Sequence, residues 1–248
     1  MISLSFEICI INPYKTDLLT NKIEATAFKT VSSQNKILMN KQAIEDSLFD
    51  GYYDESVNVT NLIKEIENNK TSDAFIITCF EDPGINIARS IKSKLILGLG
   101  EASFYIANII GKNFSIITLI SRSNEAIKNN LIKYGLNDKC VSLNSIEVPV
   151  LDLETMSKSN LLKLKNEIKR TMLEDKAEAI ILCSPGIMRL TQELEKEFQI
   201  PIIEGVSAAV AMIEMLLKLN YKVNKLGSND DNTNKNYDGY FSQFLKRK

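Results

Sequence analysis

Short apolar runs that alternate with helical patterns constrain the fold of this chain more than any other feature. The runs are continuous, rich in Ile, Val and Phe, and separated by segments with apolar residues at helical spacing. Continuous apolar strands between helices are typical of a parallel sheet covered on both faces, so the sequence predicts the α/β class. The predicted strands lie at 4–11, 74–79, 95–97, 114–119, 179–183 and 201–203, and the predicted helices at 55–67, 83–92, 101–110, 125–134, 157–173, 188–198 and 208–217.

The two halves of the chain repeat weakly. The segment DAFIITC at 73–79 parallels EAIILC at 178–183, and each is followed by Pro-Gly-Ile, a helix, a short strand and a glycine, Gly98 or Gly205. Such a repeat predicts two similar lobes, each a mainly parallel sheet flanked by helices. We expect 1–99 together with 205–248 to form the first lobe, and 100–204 to form the second.

The composition excludes several classes of function. The chain has no histidine, which removes Ser-His-Asp triads, Cys-His proteases and HExxH metal sites. A formal net charge of −1 produces no field that would attract a polyanion, so nucleic acid is not an expected partner. The sequence contains no signal peptide pattern and no apolar run long enough for a membrane span, so we expect a cytoplasmic protein without a membrane partner. A homo-oligomer is compatible with the sequence.

Two cysteines, Cys79 and Cys183, end corresponding strands of the repeat. Ligands bind at the carboxyl edge of a parallel sheet, where the next helix presents free N–H groups. Asp82 in one loop and Ser184 in the other precede a proline and are suited to cap that helix, whose dipole would favour a thiolate. The carboxylates of Glu81 and Asp82 oppose ionisation of Cys79, so we expect Cys183 to be the more readily ionised thiol.

Two thiols that face each other across a cleft can invert a stereocentre. One takes a proton from a carbon next to a carbonyl or amide, and the other donates a proton to the opposite face. The substrate carbonyl delocalises the carbanion, so no metal or organic cofactor is needed, and a small-molecule substrate is the expected partner. Cys9, inside the first predicted strand, and Cys140, in a predicted surface loop, are not included in the site.

A set of short segments over nearly the whole chain matches a known family. They are INP at 11–13, DES at 54–56, DAFIITCFEDPGI at 73–85, GLGEA at 98–102, GKNFSIIT at 111–118, YGL at 134–136, VPVLDLE at 148–154, AIILC at 179–183 and PIIEGVSAAV at 201–210. With them the chain resembles the Asp/Glu/hydantoin racemase family, especially its hydantoin and allantoin racemases. The resemblance implies two pseudo-symmetric lobes around an active-site cleft, catalytic Cys79 and Cys183, and a substrate pocket lined by Asn12, Phe80 and Thr118. We add Ser184, next to Cys183, as a substrate-binding residue.

Departures from the family pattern leave the substrate open. Tyr14 replaces a second Asn, Leu119 replaces a second Thr, and 182–185 reads Leu-Cys-Ser-Pro where the family has a Gly- and Ala-rich loop. The expected substrate is a 5-substituted hydantoin or allantoin. Alternatives on the same fold are an Asp/Glu-type amino acid racemase, a maleate-type isomerase and a non-catalytic ligand-binding relative.

A dinucleotide-binding protein is a further alternative. Gly98-Leu99-Gly100 follows a predicted strand and opens a predicted helix, as a phosphate-binding turn does. However, Ser103 replaces the third glycine of the pattern, and the next strand offers no acidic end for a ribose.

Overall fold

The computed structural model describes residues 5–13, 17–40, 52–148, 157–183 and 190–230. The strands are β1 (Glu7–Ile11), β2 (Lys36–Asn40), β3 (Ala74–Ile77), β4 (Leu95–Gly98), β5 (Phe114–Thr118), β6 (Cys140–Ser145), β7 (Ile180–Cys183) and β8 (Ile202–Glu204). The helices are α1 (Asp17–Thr30), α2 (Tyr52–Asn68), α3 (Ile85–Ile91), α4 (Leu99–Ile110), α5 (Asn124–Lys133), α6 (Lys158–Leu173), α7 (Thr191–Phe198) and α8 (Gly205–Lys218).

The strands form two four-stranded parallel sheets with the same internal order. The first sheet is ordered β2-β1-β3-β4 and the second β6-β5-β7-β8. The second order reproduces the first with each strand number raised by four, so the α/β class and the internal repeat are confirmed. Strand β3 is buried at every position, as expected of a strand that helices cover on both faces.

Three elements were not predicted. Strands β2 and β6 lie at sheet edges and are only partly buried, and each mixes apolar with polar residues. Cys140 begins β6, and the prediction that it lies in a surface loop is therefore wrong. Helix α1 buries only Leu19, Ile23 and Ala27, a thin apolar stripe in a polar segment.

The hydrophobic core continues from one sheet to the other. A central cluster joins residues of β1 and β3 to residues of β5 and β7 through α1, α4, α5 and α8. A second cluster packs α2 and α3 on the outer face of the first sheet, and a third packs α6 and α7 on the outer face of the second. Helices α4 and α8, each of which directly follows the last strand of a sheet, pack against each other between the sheets.

Two further findings concern the surface and the end of the described chain. No helix among the described residues is both long and apolar enough to cross a membrane. The described part of the chain after α8 contacts α3 and the loop that follows it: the Val223 N–H donates to the Ser93 carbonyl, and Lys225 Nζ donates to the carbonyls of Arg89 and Ser90.

Candidate active site

The loop after β3 carries Cys79 and ends in a conformation that the sequence did not predict. Asp82 adopts a left-handed φ of 49°, Gly84 has a φ of 67°, and α3 begins only at Ile85. Asp82 therefore does not cap α3, as its position before Pro83 had suggested. Since α3 starts six residues after Cys79, the expected effect of its dipole on this thiol loses its basis.

Asp82 instead caps a different helix. Its buried carboxylate accepts hydrogen bonds from the backbone N–H groups of Gly100 (3.0 Å) and Glu101 (2.7 Å), in the first turn of α4, and from the Tyr134 hydroxyl (2.8 Å). Burial raises the pKa of Asp82 to about 7, and these hydrogen bonds oppose the rise. The Cys79 loop is thus fixed to the helix that packs between the two sheets.

The glycines at 98 and 100 make room for this loop. A Cβ atom on Gly98 would lie 1.8 Å from Asp82 Oδ1, and one on Gly100 would lie 2.3 Å from the Phe80 carbonyl oxygen. A carboxylate therefore occupies the place at the start of α4 where a dinucleotide-binding turn would hold a phosphate. This arrangement contradicts the dinucleotide-binding alternative.

Cys79 is buried, with 2% of its surface exposed, and its thiol contacts a carboxylate of the same loop. Its Sγ donates to Glu81 Oε2 at 2.8 Å. The backbone of Glu81 is held in turn by α5, because Asn130 Nδ2 donates to the Glu81 carbonyl at 2.6 Å. The Glu81 side chain is half-buried, so its charge is only partly screened by solvent.

Cys183 ends β7 on the opposite sheet and is half-buried against the central core cluster. Desolvation by burial raises the pKa of its thiol well above the usual value, and the negative charges of Glu81 and Asp82 raise it further. In the sequence Glu81 and Asp82 lie beside Cys79 alone, but in the fold their charges also act on Cys183, which removes the reason for expecting Cys183 to be the more readily ionised thiol.

Strand register shows that the two cysteines are not equivalent in the repeat. Ile77 lies opposite both Ile11 and Gly98, and Leu182 lies opposite both Ile117 and Glu204. Since Gly98 and Glu204 each directly precede the central helix of their half, Ile77 and Leu182 correspond. Cys183 therefore corresponds to Thr78, one residue before Cys79, and the prediction of equivalent places is wrong by one position.

Asn12 and Thr118 lie at the carboxyl ends of the central strands β1 and β5. Asn12 is buried, donates from Nδ2 to Thr20 Oγ1 (2.9 Å) and accepts from Thr78 Oγ1 (3.4 Å). Thr118 is also buried and pairs directly with Cys183, and its Oγ1 lies 2.7 Å from Asn124 Oδ1. The structure thus brings each of them next to the strand that leads to a cysteine.

Phe80 and Ser184 differ from these two residues. Phe80 packs in the central cluster, where a Cβ on Gly205 would lie 2.7 Å from its ring. Ser184 lies outside the described residues, as do Tyr14 and Pro185. A further polar residue, Asn58 on α2, is buried near the Cys79 loop but gave no sequence signal, because a single Asn in a helix belongs to no motif.

Comparison with known proteins gives consistent matches. The family model described as Asp/Glu/Hydantoin racemase matches residues 8–213. A hydantoin racemase of Pseudomonas sp. (strain NS671) is 31% identical over 240 residues, which cover 96% of both chains. One of Rhizobium meliloti is 31% identical over 88% of this chain and 92% of its own. The structure of the allantoin racemase from Klebsiella pneumoniae superposes with a TM-score of 0.87 at 30% identity, covering 96% of this chain and 98% of that chain. The predicted family resemblance is confirmed.

Proposed function

Since the chain belongs to the Asp/Glu/hydantoin racemase family, we propose that it inverts a carbon next to a carbonyl or amide by proton transfer between Cys79 and Cys183. The homologues support a racemase, and therefore an isomerase, on this fold. The assignment of the two thiols and of the substrate is our proposal.

The observation that carries this proposal is the position of Glu81. Its carboxylate accepts a hydrogen bond from the Cys79 thiol, and its charge is, after desolvation by burial, the next cause that raises the pKa of the Cys183 thiol on the other sheet. One carboxylate therefore interacts with both thiols. Such a position supports a site in which the two sulfur atoms approach one substrate carbon from different sides.

The hydrogen bond from Cys79 to Glu81 also supports a division of roles. In this scheme the Glu81 carboxylate takes the Sγ proton when the substrate binds and leaves Cys79 as the thiolate, while desolvation by burial keeps Cys183 a thiol. The Cys79 thiolate takes the proton from the stereocentre, and the carbanion's electron pair moves onto the adjacent carbonyl oxygen. The Cys183 Sγ–H then protonates the opposite face, which leaves Cys183 as the thiolate until the proton states exchange.

The charge of the site favours a neutral substrate. Glu81 and Asp82 both act on Cys183, and Glu81 also raises the pKa of Glu55, after desolvation by burial as the larger cause. A dicarboxylate would bring like charges close to these groups, which disfavours the amino acid racemase and maleate-type alternatives. Uncharged hydantoins, the substrates that the relatives' names give, or allantoin fit better.

We further propose that the lobes divide at 99/100 and 204/205, as the repeat predicts. Helix α4 follows β4 of the first sheet but contacts β7 and β8 of the second. Helix α8 follows β8 of the second sheet but contacts β3, β4 and α1. Each junction lies where a strand of one sheet continues into a helix that also packs on the other sheet.

The register of β7 provides a second candidate for the proton donor. Cys183 corresponds to Thr78. By position in the sequence, the next residue, Ser184, therefore corresponds to Cys79. We favour Cys183 because the charge of Glu81 acts on its thiol, whose pKa is raised by desolvation first and by that charge second. A serine hydroxyl is also a much weaker acid than a thiol. Asn12, Phe80, Thr118 and Ser184 remain proposed substrate-binding residues.

The test is racemisation of single enantiomers of 5-methylhydantoin and allantoin, followed by optical rotation in water and by deuterium incorporation in heavy water. Cys79→Ser and Cys183→Ser should each abolish inversion, while Cys140→Ser, which changes a half-buried thiol on β6, should keep it. Ser184→Ala should weaken substrate binding without stopping inversion. Full inversion by Cys183→Ser would refute the role of this thiol, and a wild-type enzyme inactive on every hydantoin would refute the substrate class.

A further inference from the structure

Asn58 of α2 is a buried amide whose hydrogen-bonding capacity is unused. Only 1% of its surface is exposed, and neither Nδ2 nor Oδ1 has a hydrogen-bond partner within the described part of the chain. Leaving a buried polar group unpaired typically costs about 1–3 kcal/mol, so such groups are rare and often mark a site of function. The Asn58 amide therefore requires a partner that the polypeptide does not supply.

The packing of α2 shows which region this amide faces. Helix α2 connects the parallel strands β2 and β3, so it runs antiparallel to them, and its first turns lie at the carboxyl ends where Cys79 follows β3. Leu62 packs with Cys79 and Ile77 in the outer cluster of the first sheet. Asn58 lies one turn before Leu62 on the same helix face, about 6 Å closer to the carboxyl edge of the sheet.

Two neighbours of Asn58 relate α2 to the same loop. Glu55, three residues earlier, is half-buried, and its pKa is raised by desolvation first and by the charge of Glu81 in that loop second. Val59, the next residue, packs against Gly84, where an added Cβ would lie 2.9 Å from Val59 Cγ1. Asn58 thus lies next to Val59 and one turn before Leu62, which both pack against Gly84, and one turn after Glu55, on which the charge of Glu81 acts.

A carboxamide has one acceptor oxygen and two N–H donors, and it pairs most completely with a group that offers an adjacent N–H and C=O. A hydantoin ring presents such an edge, because each ring N–H is flanked by a carbonyl. We propose that Asn58 binds the amide edge of the substrate ring with a pair of hydrogen bonds. This inference rests on the proposed function and adds a substrate-binding residue to it.

The pair of hydrogen bonds has two consequences. It holds the ring plane relative to Cys79, so that only the substituent-bearing carbon is presented to the thiols. It also discriminates against open-chain amino acids, which lack an amide edge and would leave the Asn58 amide unpaired.

The test compares wild-type protein with Asn58→Leu, which replaces the amide with an apolar side chain of similar size. Removing an unpaired buried amide should raise the midpoint of urea unfolding, while loss of one or two substrate hydrogen bonds should lower kcat/KM for 5-methylhydantoin about 10- to 100-fold. Thr171→Val is the matched control, because Thr171 on the distant helix α6 also has a buried side-chain oxygen with no partner among the described residues. This variant should leave kcat/KM unchanged.

N-methyl derivatives of the same hydantoin make the test specific. Wild type should lose activity on the derivative that is methylated at the nitrogen that Asn58 contacts. Asn58→Leu should racemise this derivative and the unmethylated hydantoin with nearly equal kcat/KM. An unchanged kcat/KM in an active Asn58→Leu variant would overturn the inference and leave the proposed function intact, as it would mean that the amide holds only a structural water. If wild type racemises no hydantoin, the proposed function fails. Binding of 5-methylhydantoin to wild type and to Asn58→Leu is then measured by calorimetry, and equal affinity, or no binding to either protein, overturns the role of Asn58.

Discussion

Replacement of Asp82 by Asn should change how stability depends on pH. Burial raises the pKa of Asp82 to about 7, whereas a free aspartate titrates near 3.8, so the folded protein holds this proton more tightly than the unfolded chain does. The stabilisation that comes from the protonated carboxyl is complete below about pH 4, and it is lost as the pH rises through about 7. The neutral Asn side chain cannot show this loss.

The magnitude follows from the distance between the two pKa values. Between pH 5 and pH 7 the unfolded chain is already ionised at this position, while the folded protein still retains the proton. Each pH unit in this window removes about 1.4 kcal/mol of stability, so wild type should lose about 3 kcal/mol between pH 5 and pH 8 relative to Asp82→Asn. Asn cannot accept from all three donors that Asp82 serves, but this cost is the same at both pH values and cancels in the comparison.

The assay is urea unfolding of wild type and Asp82→Asn at pH 5 and pH 8, followed by circular dichroism. The quantity of interest is the change, between the two pH values, in the difference between their free energies of unfolding. If that difference stays constant within about 0.5 kcal/mol, the carboxyl has an ordinary pKa. The hydrogen bonds from Gly100, Glu101 and Tyr134 would then outweigh burial, contrary to our reasoning.

Three further predictions follow from individual contacts. Gly98→Ala should destabilise the fold by at least about 2 kcal/mol in thermal or urea unfolding, since its Cβ would lie 1.8 Å from Asp82 Oδ1. A loss below about 0.5 kcal/mol, which is typical of surface substitutions, would contradict this packing. Wild type should have a higher kcat/KM for neutral 5-carbamoylmethylhydantoin than for anionic 5-carboxymethylhydantoin, and Glu81→Gln should reduce the ratio of the two values about tenfold. The exposed Glu193→Gln is the control, and an unchanged ratio in Glu81→Gln would argue against selection by charge. Ser157→Ala should lower the free energy of urea unfolding by about 1 kcal/mol, because Ser157 Oγ accepts from the Asn160 N–H at 3.2 Å. An unchanged free energy of unfolding would show that this N-cap contributes nothing.

The sequence predicted the parts of the fold that are buried on both sides. Strand β3 and its neighbours are continuous apolar runs, and the predicted helix ends at α5 and α6 agree with the structure within about a residue or two. Strands β2 and β6 were missed because β2 has only a three-residue apolar run between polar residues and β6 mixes apolar with polar residues, so neither stands out clearly from a loop.

The site was harder to predict because its contacts are not local. Asp is a residue type that commonly caps helices, and the position of Asp82 predicted that it caps α3, the helix that follows it. Its carboxylate instead accepts hydrogen bonds from Gly100 and Glu101 at the start of α4. The glycines at 98 and 100 were the available signal, but in the sequence they suggested only an incomplete phosphate-binding turn, given as an alternative. The approach of Glu81 to Cys183 depends on how the two sheets pack, which no local pattern encodes.

The one-residue offset between Cys79 and Cys183 has a consequence for how the two enantiomers are handled. Cys79 follows β3 by two residues whereas Cys183 ends β7, and the two thiols have different environments: a carboxylate touches Cys79, and Cys183 packs against the central core cluster. Racemisation has an equilibrium constant of unity, which obliges kcat/KM to be the same for both mirror forms of the substrate. An unsymmetrical pair of thiols must therefore express its difference in kcat and KM separately, with one enantiomer bound more tightly and turned over more slowly than its mirror image.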